Sequence, residues 1–477
     1  MVRNRACWAL AAVLAAGMAS ASEAAELLVG TAAADITPDQ PVALSGQMHT
    51  RIARQVESRV IATVVALESR QGDQSLDQAI MVSCDLVTIP DAVLQKLRER
   101  LKGRLEGADL GKLFLSATHT HTAPVVEPDA YAIAKEGVIQ PAEYVEFLVG
   151  RLSEAVAKAW EGRKPGSVGW GLGHAVVAQN RRAVYADGHA QMYGATHVPE
   201  FRNIEGYEDH GVETLFFWDR QKRLLATAVN LACTAQEVEG RSAVNADFWH
   251  EVRETLRAKY GKDVIVLGWI GAAGDQSPHP MFRKQAEERM LRLRGLTRLE
   301  ELARRIVRAV DDAYEVAQKE VHSDVPLVHR VEHLKLPVRM VTEEEAAQAA
   351  AKVKSLSQDP RNHTLVRWHQ AVVDRFERQK QNPHHAVEIH VIRLGDVAIA
   401  TNPFELFTDF GIQMKARSKA LQTFVIQCVG PGGYVPTPRA VRGGGYSAIP
   451  ESNPVGPEGG QILTDRTVEW INAMWQP

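Results

Sequence analysis

Short apolar, β-branched runs alternate with amphipathic helical patterns along most of this chain, and that alternation constrains its fold more than any other feature. The runs are Val60–Leu67, Ala79–Val82, Leu113–Ser116, Leu215–Trp218, Leu225–Leu231, Val264–Ile270, Val387–Leu394, Val397–Thr401 and Thr423–Cys428. Helical periodicity covers Ala92–Leu101, Ala142–Trp160, Asp247–Tyr260 and Leu299–Val316. Strands interleaved with helices predict an α/β fold, with a mixed β-sheet core and flanking helices. At 477 residues, two or three domains or one large domain are all admissible.

The segment from Thr342 to about Asn382 has a different character. Thr342-Glu343-Glu344-Glu345 reads as a capped helix start, followed by an Ala/Lys-rich helix. Asp359-Pro360 breaks it, and Leu365–Gln381 resumes the helical pattern, so 342–382 is expected to be a helical insertion. Thr464–Met474 reads as a closing helix, and Tyr434 to Asn453, rich in Gly and Pro, as mostly loop. Gly271-Ala272-Ala273-Gly274 follows a strand but lacks the spacing of a nucleotide-binding loop, so no phosphate role is assigned. Four special loops each follow an expected strand: after His121, Gly274–Pro278, Asn402–Glu405 and Tyr434–Tyr446. Scaffolds place function on such loops, and convergence at one sheet edge is the expectation.

Charge and targeting narrow the function classes. A formal net charge of −3 with no long basic run gives nucleic-acid binding no electrostatic support. Arg3 and Arg5, the apolar stretch Trp8–Met18 and Ala19-Ser20-Ala21 form a secretory signal pattern, so residues 1–24 are expected to leave an exported protein. No later stretch approaches a transmembrane length, so no integral membrane segment is expected. Cys84, Cys233 and Cys428 each lie in apolar surroundings and read as buried thiols rather than a disulfide framework.

His119 and His121, in Ser116-Ala117-Thr118-His119-Thr120-His121, carry the chemistry. On a strand, residues i and i+2 point to the same face, so two imidazoles would project together where the strand ends. Neutral imidazole is the commonest metal ligand, and the pair is a plausible half of a zinc site; a polar loop pair is the alternative. Ser277 lacks a G-x-S-x-G elbow, which leaves a serine-hydrolase triad without support.

Six motifs in fixed order then resemble the neutral (non-lysosomal) ceramidase family, zinc amidases that cleave the N-acyl bond of ceramide. They are Ala34-Asp35-Ile36-Thr37-Pro38 with Ser58-Arg59-Val60, the histidine run, Asn180-Arg181, Gly274-Asp275-Gln276-Ser277-Pro278, Asn402-Pro403-Phe404-Glu405, and Tyr434-Val435-Pro436-Thr437-Pro438 with Tyr446. The resemblance implies that His119, Glu405 and Tyr434 ligate Zn²⁺. It implies that His121 assists proton transfer or substrate binding, that Arg181 and Tyr446 steady the carbonyl oxygen, and that Ser277 lines the pocket. Asp85 or Asp275 would orient His119 through its other ring nitrogen. Two departures accompany it. Thr234 stands where the family places another ligand histidine, with Gln236, Glu237 or His250 as replacement candidates. Residues 25–477 would also form the catalytic domain without a C-terminal β-sandwich domain. The expected activity is hydrolysis of a small-molecule or lipid-like amide; a different N-acyl or ester substrate, or a metal-poor binding protein that kept the pocket, are the alternatives.

Overall fold

The computed structural model describes residues 25–475, so the signal pattern at 1–24 lies outside the described residues. Eight strands form a large sheet: β1 (Glu26–Asp35), β2 (Ile61–Gln71), β3 (Gln74–Cys84), β4 (Leu113–Ala117), β5 (Lys164–His174), β6 (Gly211–Asp219), β7 (Leu224–Leu231) and β8 (Ile265–Ile270). Their spatial order is β8-β7-β6-β5-β1-β2-β3-β4. Four more strands, β9 (Leu327–Pro337), β10 (His384–Leu394), β11 (Val397–Thr401) and β12 (Gln422–Ile426), form a second sheet in that order.

Side-chain alternation welds the two sheets together. From the large sheet Leu27, Val65, Met81, Phe114, Phe217 and Trp269 meet Leu327, Ile392, Ile399 and Phe424 of the second sheet in one buried cluster. The intervening residues face helices instead. Ala62, Val64, Ile80 and Leu115 pack on α1 (Asp91–Leu101) and α2 (Pro141–Glu161). Phe216, Val229 and Val266 pack against α3 (Phe248–Tyr260) and the long helix Arg298–Ala317, which follows α4 (Lys284–Arg294) and is labelled α5. The stretch 342–382, expected as a helical insertion, forms α6 (Glu343–Leu356) and α7 (His363–Arg378), packed together over Ala349 and Val372. Behind the second sheet lie α8 (Thr408–Arg417) and α10 (Pro457–Ala473), with the short α9 (Pro438–Gly443) between them in sequence. The result is a helix–sheet–sheet–helix sandwich, the mixed α/β class expected from the alternation. The stretch 434–453, expected to be mostly loop, carries α9 and two 3₁₀ turns, because Thr437 caps Ala440 N and Pro438 suits the first helical position.

Within the two sheets three strand pairs run parallel: β3 with β4, β7 with β8, and β11 with β12, each connected through a helix (α1, α3, α8). The large sheet curls until strands near its opposite edges touch. Ser83 Oγ in β3 donates to the Gly268 carbonyl in β8 at 2.6 Å. Ala117 N at the end of β4 donates to Cys428 O just past β12, and Gln427 N to Ile270 O at the end of β8, so the carboxyl ends of these pairs meet in one place. Loops at such ends are where α/β sheets bind ligands. Among the described residues, no helix is long and apolar enough to cross a membrane.

Candidate active site

Strand β4 stops at Ala117, and the histidines follow in a tight turn rather than on the strand. His119 has a φ of +57°, a left-handed conformation that is costly for a residue with a side chain and that ends the strand alternation. Thr118 N donates to Cys84 O and Thr120 N to Leu86 O, both at 2.9 Å, which holds that turn. The two imidazoles still end up neighbours, 4.7 Å between centroids at 62°.

The tautomer of His119 follows from its partner. Nδ1 lies 3.0 Å from the Val87 carbonyl, which only accepts, so Nδ1 carries the hydrogen. Asp85 and Asp275, the expected orienting groups, do other work. Asp85 is buried against Arg253 in a two-pronged ion pair of 2.7 and 2.8 Å and accepts from Thr118 Oγ1. Asp275 takes Asn180 Nδ2 at 2.7 Å and Thr408 N at 2.9 Å. A main-chain carbonyl in a loop is closer to His119 than either carboxylate, because the turn folds the ring back over Val87.

The free Nε2 of His119 lies 3.3 Å from Glu405 Oε2. Both atoms are buried, and beyond this ion-pair contact neither has a hydrogen-bond partner. Burial disfavours an imidazolium here, yet Glu405 and the Cys428 thiol outweigh it and hold the His119 pKa well above its ordinary value. Burial likewise raises Glu405, but His119, Tyr434 and Arg181 overcome it and leave its pKa below the usual carboxylate range.

Backbone pairing places the other groups. Glu405–Leu406 and Tyr434–Val435 form a two-residue parallel ladder with Glu405 opposite Tyr434. Gln179–Asn180 pairs with Gln276–Ser277, and Arg181 N donates to Asp275 O at 2.9 Å. Gly274 is required by close approach: a Cβ there would lie 2.3 Å from the Glu405 carbonyl oxygen. The glycine-rich turn thus serves the Glu405 loop. Arg181, 2% exposed, donates from Nη2 to Gly274 O at 3.0 Å and to the Tyr434 hydroxyl at 3.1 Å. Its Nη1 reaches the Tyr193 hydroxyl at 3.3 Å and Gln236 Oε1 at 3.4 Å.

Ser277 is fully buried and accepts from the Tyr193 hydroxyl at 2.9 Å. The Tyr446 ring lies edge-on to Tyr434 at 5.7 Å, and burial followed by the charge of Glu405 raises its pKa, so it keeps its proton at neutral pH. His121 receives Gln236 Nε2 at 3.0 Å on its own Nε2 and faces Glu239 Oε2 from Nδ1 at 3.4 Å. Burial, then His119, Arg181, Arg51 and His279, depress its pKa well below the ordinary value and keep it neutral.

His119, His121, Arg181, Ser277, Glu405, Tyr434 and Tyr446 are therefore one connected cluster. Of the replacement candidates only Gln236 joins it. Thr234 Oγ1 donates to Gln236 Oε1, so Thr234 is part of the cluster through that amide. Glu237 turns to Arg298, and His250 on α3 lines a separate cavity of about 700 Å³ that reaches Glu239 but neither His119 nor Glu405. The sequence reading did not single out Tyr193 and Glu239. In sequence Tyr193 carries no signal beyond the Gly194 that follows it, and Glu239 carries none beyond its charge.

Among the described residues, no three His, Cys, Asp or Glu side chains are gathered as a metal cage. The donors beside one another are His119, Glu405 and the phenol of Tyr434. Two ligands at 2.0–2.1 Å from one tetrahedral zinc stand about 3.3–3.4 Å apart, close to the spacing of the two partnerless atoms. The cluster opens into a cavity of about 640 Å³ lined by Glu405, Tyr434 and Tyr446 on one side and by Trp368, Arg375 and Arg378 of α7 on another.

The chain shares its fold with the crystal structure of neutral ceramidase from Pseudomonas aeruginosa. The TM-score is 0.68 at 18% identity, over 94% of this chain and 74% of that one. A ceramidase structure described as complexed with C2 aligns at a TM-score of 0.68 and 16% identity, over 94% and 75% of the two chains. No family model matches the chain, and no curated protein matches it in sequence. At these identities the likeness is one of fold, and it is the fold that the six motifs anticipated.

Proposed function

We propose that this protein is an exported, metal-dependent hydrolase of N-acyl amides, of the neutral ceramidase type. The observation that carries the reading is the pair His119 Nε2 and Glu405 Oε2, buried, 3.3 Å apart and without any other polar partner. Buried polar atoms left without hydrogen bonds are costly, and a cation held between them removes the cost. His119, Glu405 and Tyr434 would hold Zn²⁺, three protein ligands being the usual number at a catalytic centre. Thr234 and Gln236 are spent on one another, on Arg181 and on His121, which fits a three-ligand site.

Bound zinc supplies a water whose pKa is lowered to about 7. The chain's own groups account for the rest. Val87 O fixes the His119 tautomer. Arg181 would offset negative charge on the Tyr434 oxygen if that phenol, whose pKa burial and Glu405 raise, gave up its proton to hold the metal. The Tyr446 hydroxyl, protonated and lining the cavity, donates to a carbonyl oxygen as charge develops there. His121 stays neutral, oriented by Gln236 and Glu239, beside the atoms where a proton must move.

The test is metal content of the purified chain and of His119→Ala, with release of fatty acid from ceramide and from shorter N-acyl amides. Stoichiometric zinc in the parent that is lost in the variant, together with amide cleavage, is expected. A parent chain that takes up no metal from excess Zn²⁺ removes the reading.

A further inference from the structure

Helix α4 stands apart from the packed core: it is eleven residues long and buries none of them. One face is tied down by charge. Glu287 accepts from Arg305 of α5 at 2.8 Å and from Arg298 at 3.4 Å, and Leu291, one turn on, is half-buried. At the end of the helix Arg294 pairs with Glu301 at 2.9 Å. The chain reaches α4 from the Ser277 loop, where His279 N donates to Ser277 Oγ at 3.2 Å and Met281 N to Gln179 Oε1 at 3.0 Å.

Another face carries an apolar stripe that nothing covers. Ala286, Met290 and Leu293 recur at i, i+4 and i+7, the spacing of one helix face, and all three are exposed, Leu293 by 63%. Phe282, just before the helix, is exposed as well. A single apolar side chain on a surface needs no explanation, but a stripe repeated over two turns does. Positive charge borders it on both sides. Arg289 neighbours Ala286 and Leu293 at i−3 and i+4, with Arg292 continuing its row, and Arg294 neighbours Met290 across the stripe. Over Phe282–Leu296 five basic residues stand against two acidic ones, on a chain whose formal net charge is −3. Among the described residues, Arg283, Lys284, Arg289 and Arg292 have no carboxylate within ion-pair distance, whereas Glu287 is spent on Arg298 and Arg305.

An exposed helix with an apolar face and cationic flanks is suited to lie in the plane of a bilayer interface. Its apolar side chains enter the acyl boundary while the guanidiniums stay among the phosphates. A second copy of the chain fits this face less well, because two cation-rich stripes would meet. We infer that α4 docks the protein on an anionic bilayer surface through Ala286, Met290 and Leu293, with Arg289 and Arg292 facing the headgroups. The inference goes beyond the amide-hydrolase reading and does not depend on it, since vesicle binding is read without turnover.

The test is sedimentation of the full chain with vesicles of phosphatidylcholine alone and of phosphatidylcholine mixed with phosphatidylglycerol. Binding at least tenfold tighter to the anionic vesicles at low salt, and weaker with added salt, is expected. One Lys or Arg beside an anionic surface strengthens binding by about fivefold, so Arg289→Gln/Arg292→Gln should lose at least tenfold. Met290→Ser/Leu293→Ser should lose as much, while Leu421→Ser, at an exposed apolar residue elsewhere, should bind as the parent does. Neither double variant removes a buried side chain, so their melting curves should match the parent's. Leu293→Cys gives a direct readout, because Cys84, Cys233 and Cys428 are all buried and an environment-sensitive dye then reports position 293. Its emission should shift to the blue on anionic vesicles. No preference for anionic vesicles, an unchanged affinity in either double variant, or an unshifted dye overturns the inference. A parent dimer that Met290→Ser/Leu293→Ser dissolves would overturn it too, by giving the face to a second copy.

Discussion

Arg181 Nη2 lies 3.1 Å from the Tyr434 hydroxyl, joining residues 253 positions apart in sequence. One guanidinium holds the phenol, the Gly274 carbonyl, the Tyr193 hydroxyl and the Gln236 amide, so it fixes the relative position of four loops. Lys in its place offers a point charge in place of a fork. Arg181→Lys is expected to lower kcat on an N-acyl amide by about 10²–10³-fold, the loss typical of one preorganised donor. Steady-state kinetics with a parallel melting curve check this; a kcat within threefold of the parent would contradict the role of Arg181 in holding Tyr434 in place.

Gln236 satisfies three buried groups at once: Thr234 Oγ1, Arg181 Nη1 and His121 Nε2. Removing it strands them, and each buried unsatisfied polar group costs about 1–3 kcal/mol. Gln236→Ala should therefore destabilise the fold by several kcal/mol if no water enters, and by less if one does. Urea unfolding measures the difference. Thr234→Val, which removes a single hydroxyl from the same network, should cost about 1 kcal/mol.

Gly46 has a φ of +99°, and a Cβ there would stand 2.5 Å from Cγ and Nδ1 of His121. Gly46→Ala must push the ring away from Gln236 and Glu239. Metal content should persist, because His119, Glu405 and Tyr434 are untouched, while turnover of the amide falls by at least tenfold. Metal analysis beside kinetics separates the two histidines: loss of metal in this variant would assign His121 a ligand role instead.

How far the sequence disclosed this architecture depends on which faces each strand buries. Strands apolar on both faces, such as Val397–Thr401, were legible almost to the residue. Strand β5 was not, because Gly169, Gly171 and Gly173 replace the apolar alternation. Cβ atoms there would lie 2.1–3.2 Å from the backbone oxygens of Ala317, Ala313 and Ala309, so helix α5 packs directly on bare backbone. Strand β9 lies at an edge of its sheet and mixes apolar with charged residues almost evenly, and α4 buries no residue, so neither shows a clear period. In the site, Glu405 and Tyr434 stood out through motifs in register. Tyr193, which meets Arg181 and Ser277, and Glu239, which faces His121, belong to loops whose meeting depends on the curl of the large sheet, which no local pattern encodes.

Beneath the site, Asp85 and Arg253 are both essentially buried, 2.7 and 2.8 Å apart across two hydrogen bonds. Asp85 also accepts from Ile61 N and from Thr118, the residue before His119. Breaking such a pair by removing one partner typically costs about 3–5 kcal/mol, since the other charge stays buried alone. Asp85→Asn should reach that range in urea unfolding. Asp85→Asn/Arg253→Met should cost less than Asp85→Asn alone, because no bare cation then remains. A double variant as unstable as the sum of the two singles would show that the pair is not coupled.

The acid limb of stability is expected to depend on Glu388. Burial works against its charge, but His390 at 3.1 Å and Arg98 at 2.8 Å prevail and depress its pKa to about 2. The unfolded chain would release that proton near the ordinary value of 4.5. Between these values the unfolded state binds more protons than the folded one, so stability rises with pH there. The contribution is complete above about pH 4.5 and disappears as pH falls toward 2. At 1.36 kcal/mol per unit it amounts to at most about 3 kcal/mol, less the screening of a side chain that is partly solvated. His390 imposes a second condition. Burial depresses its pKa as well, and its Nδ1 meets Nε2 of the equally buried His329 at 2.9 Å, so acid must also charge a histidine pair that the fold holds neutral. Both terms have the same sign on acidification. Glu388→Gln should therefore be less stable than the parent at pH 7, and the gap should narrow as pH falls from 5 to 3. The histidine pair keeps some acid sensitivity in the variant. Denaturant midpoints at pH 7, 5 and 3 test this; a gap that stays constant across the three would mean that Glu388 titrates alike in the folded and unfolded chains.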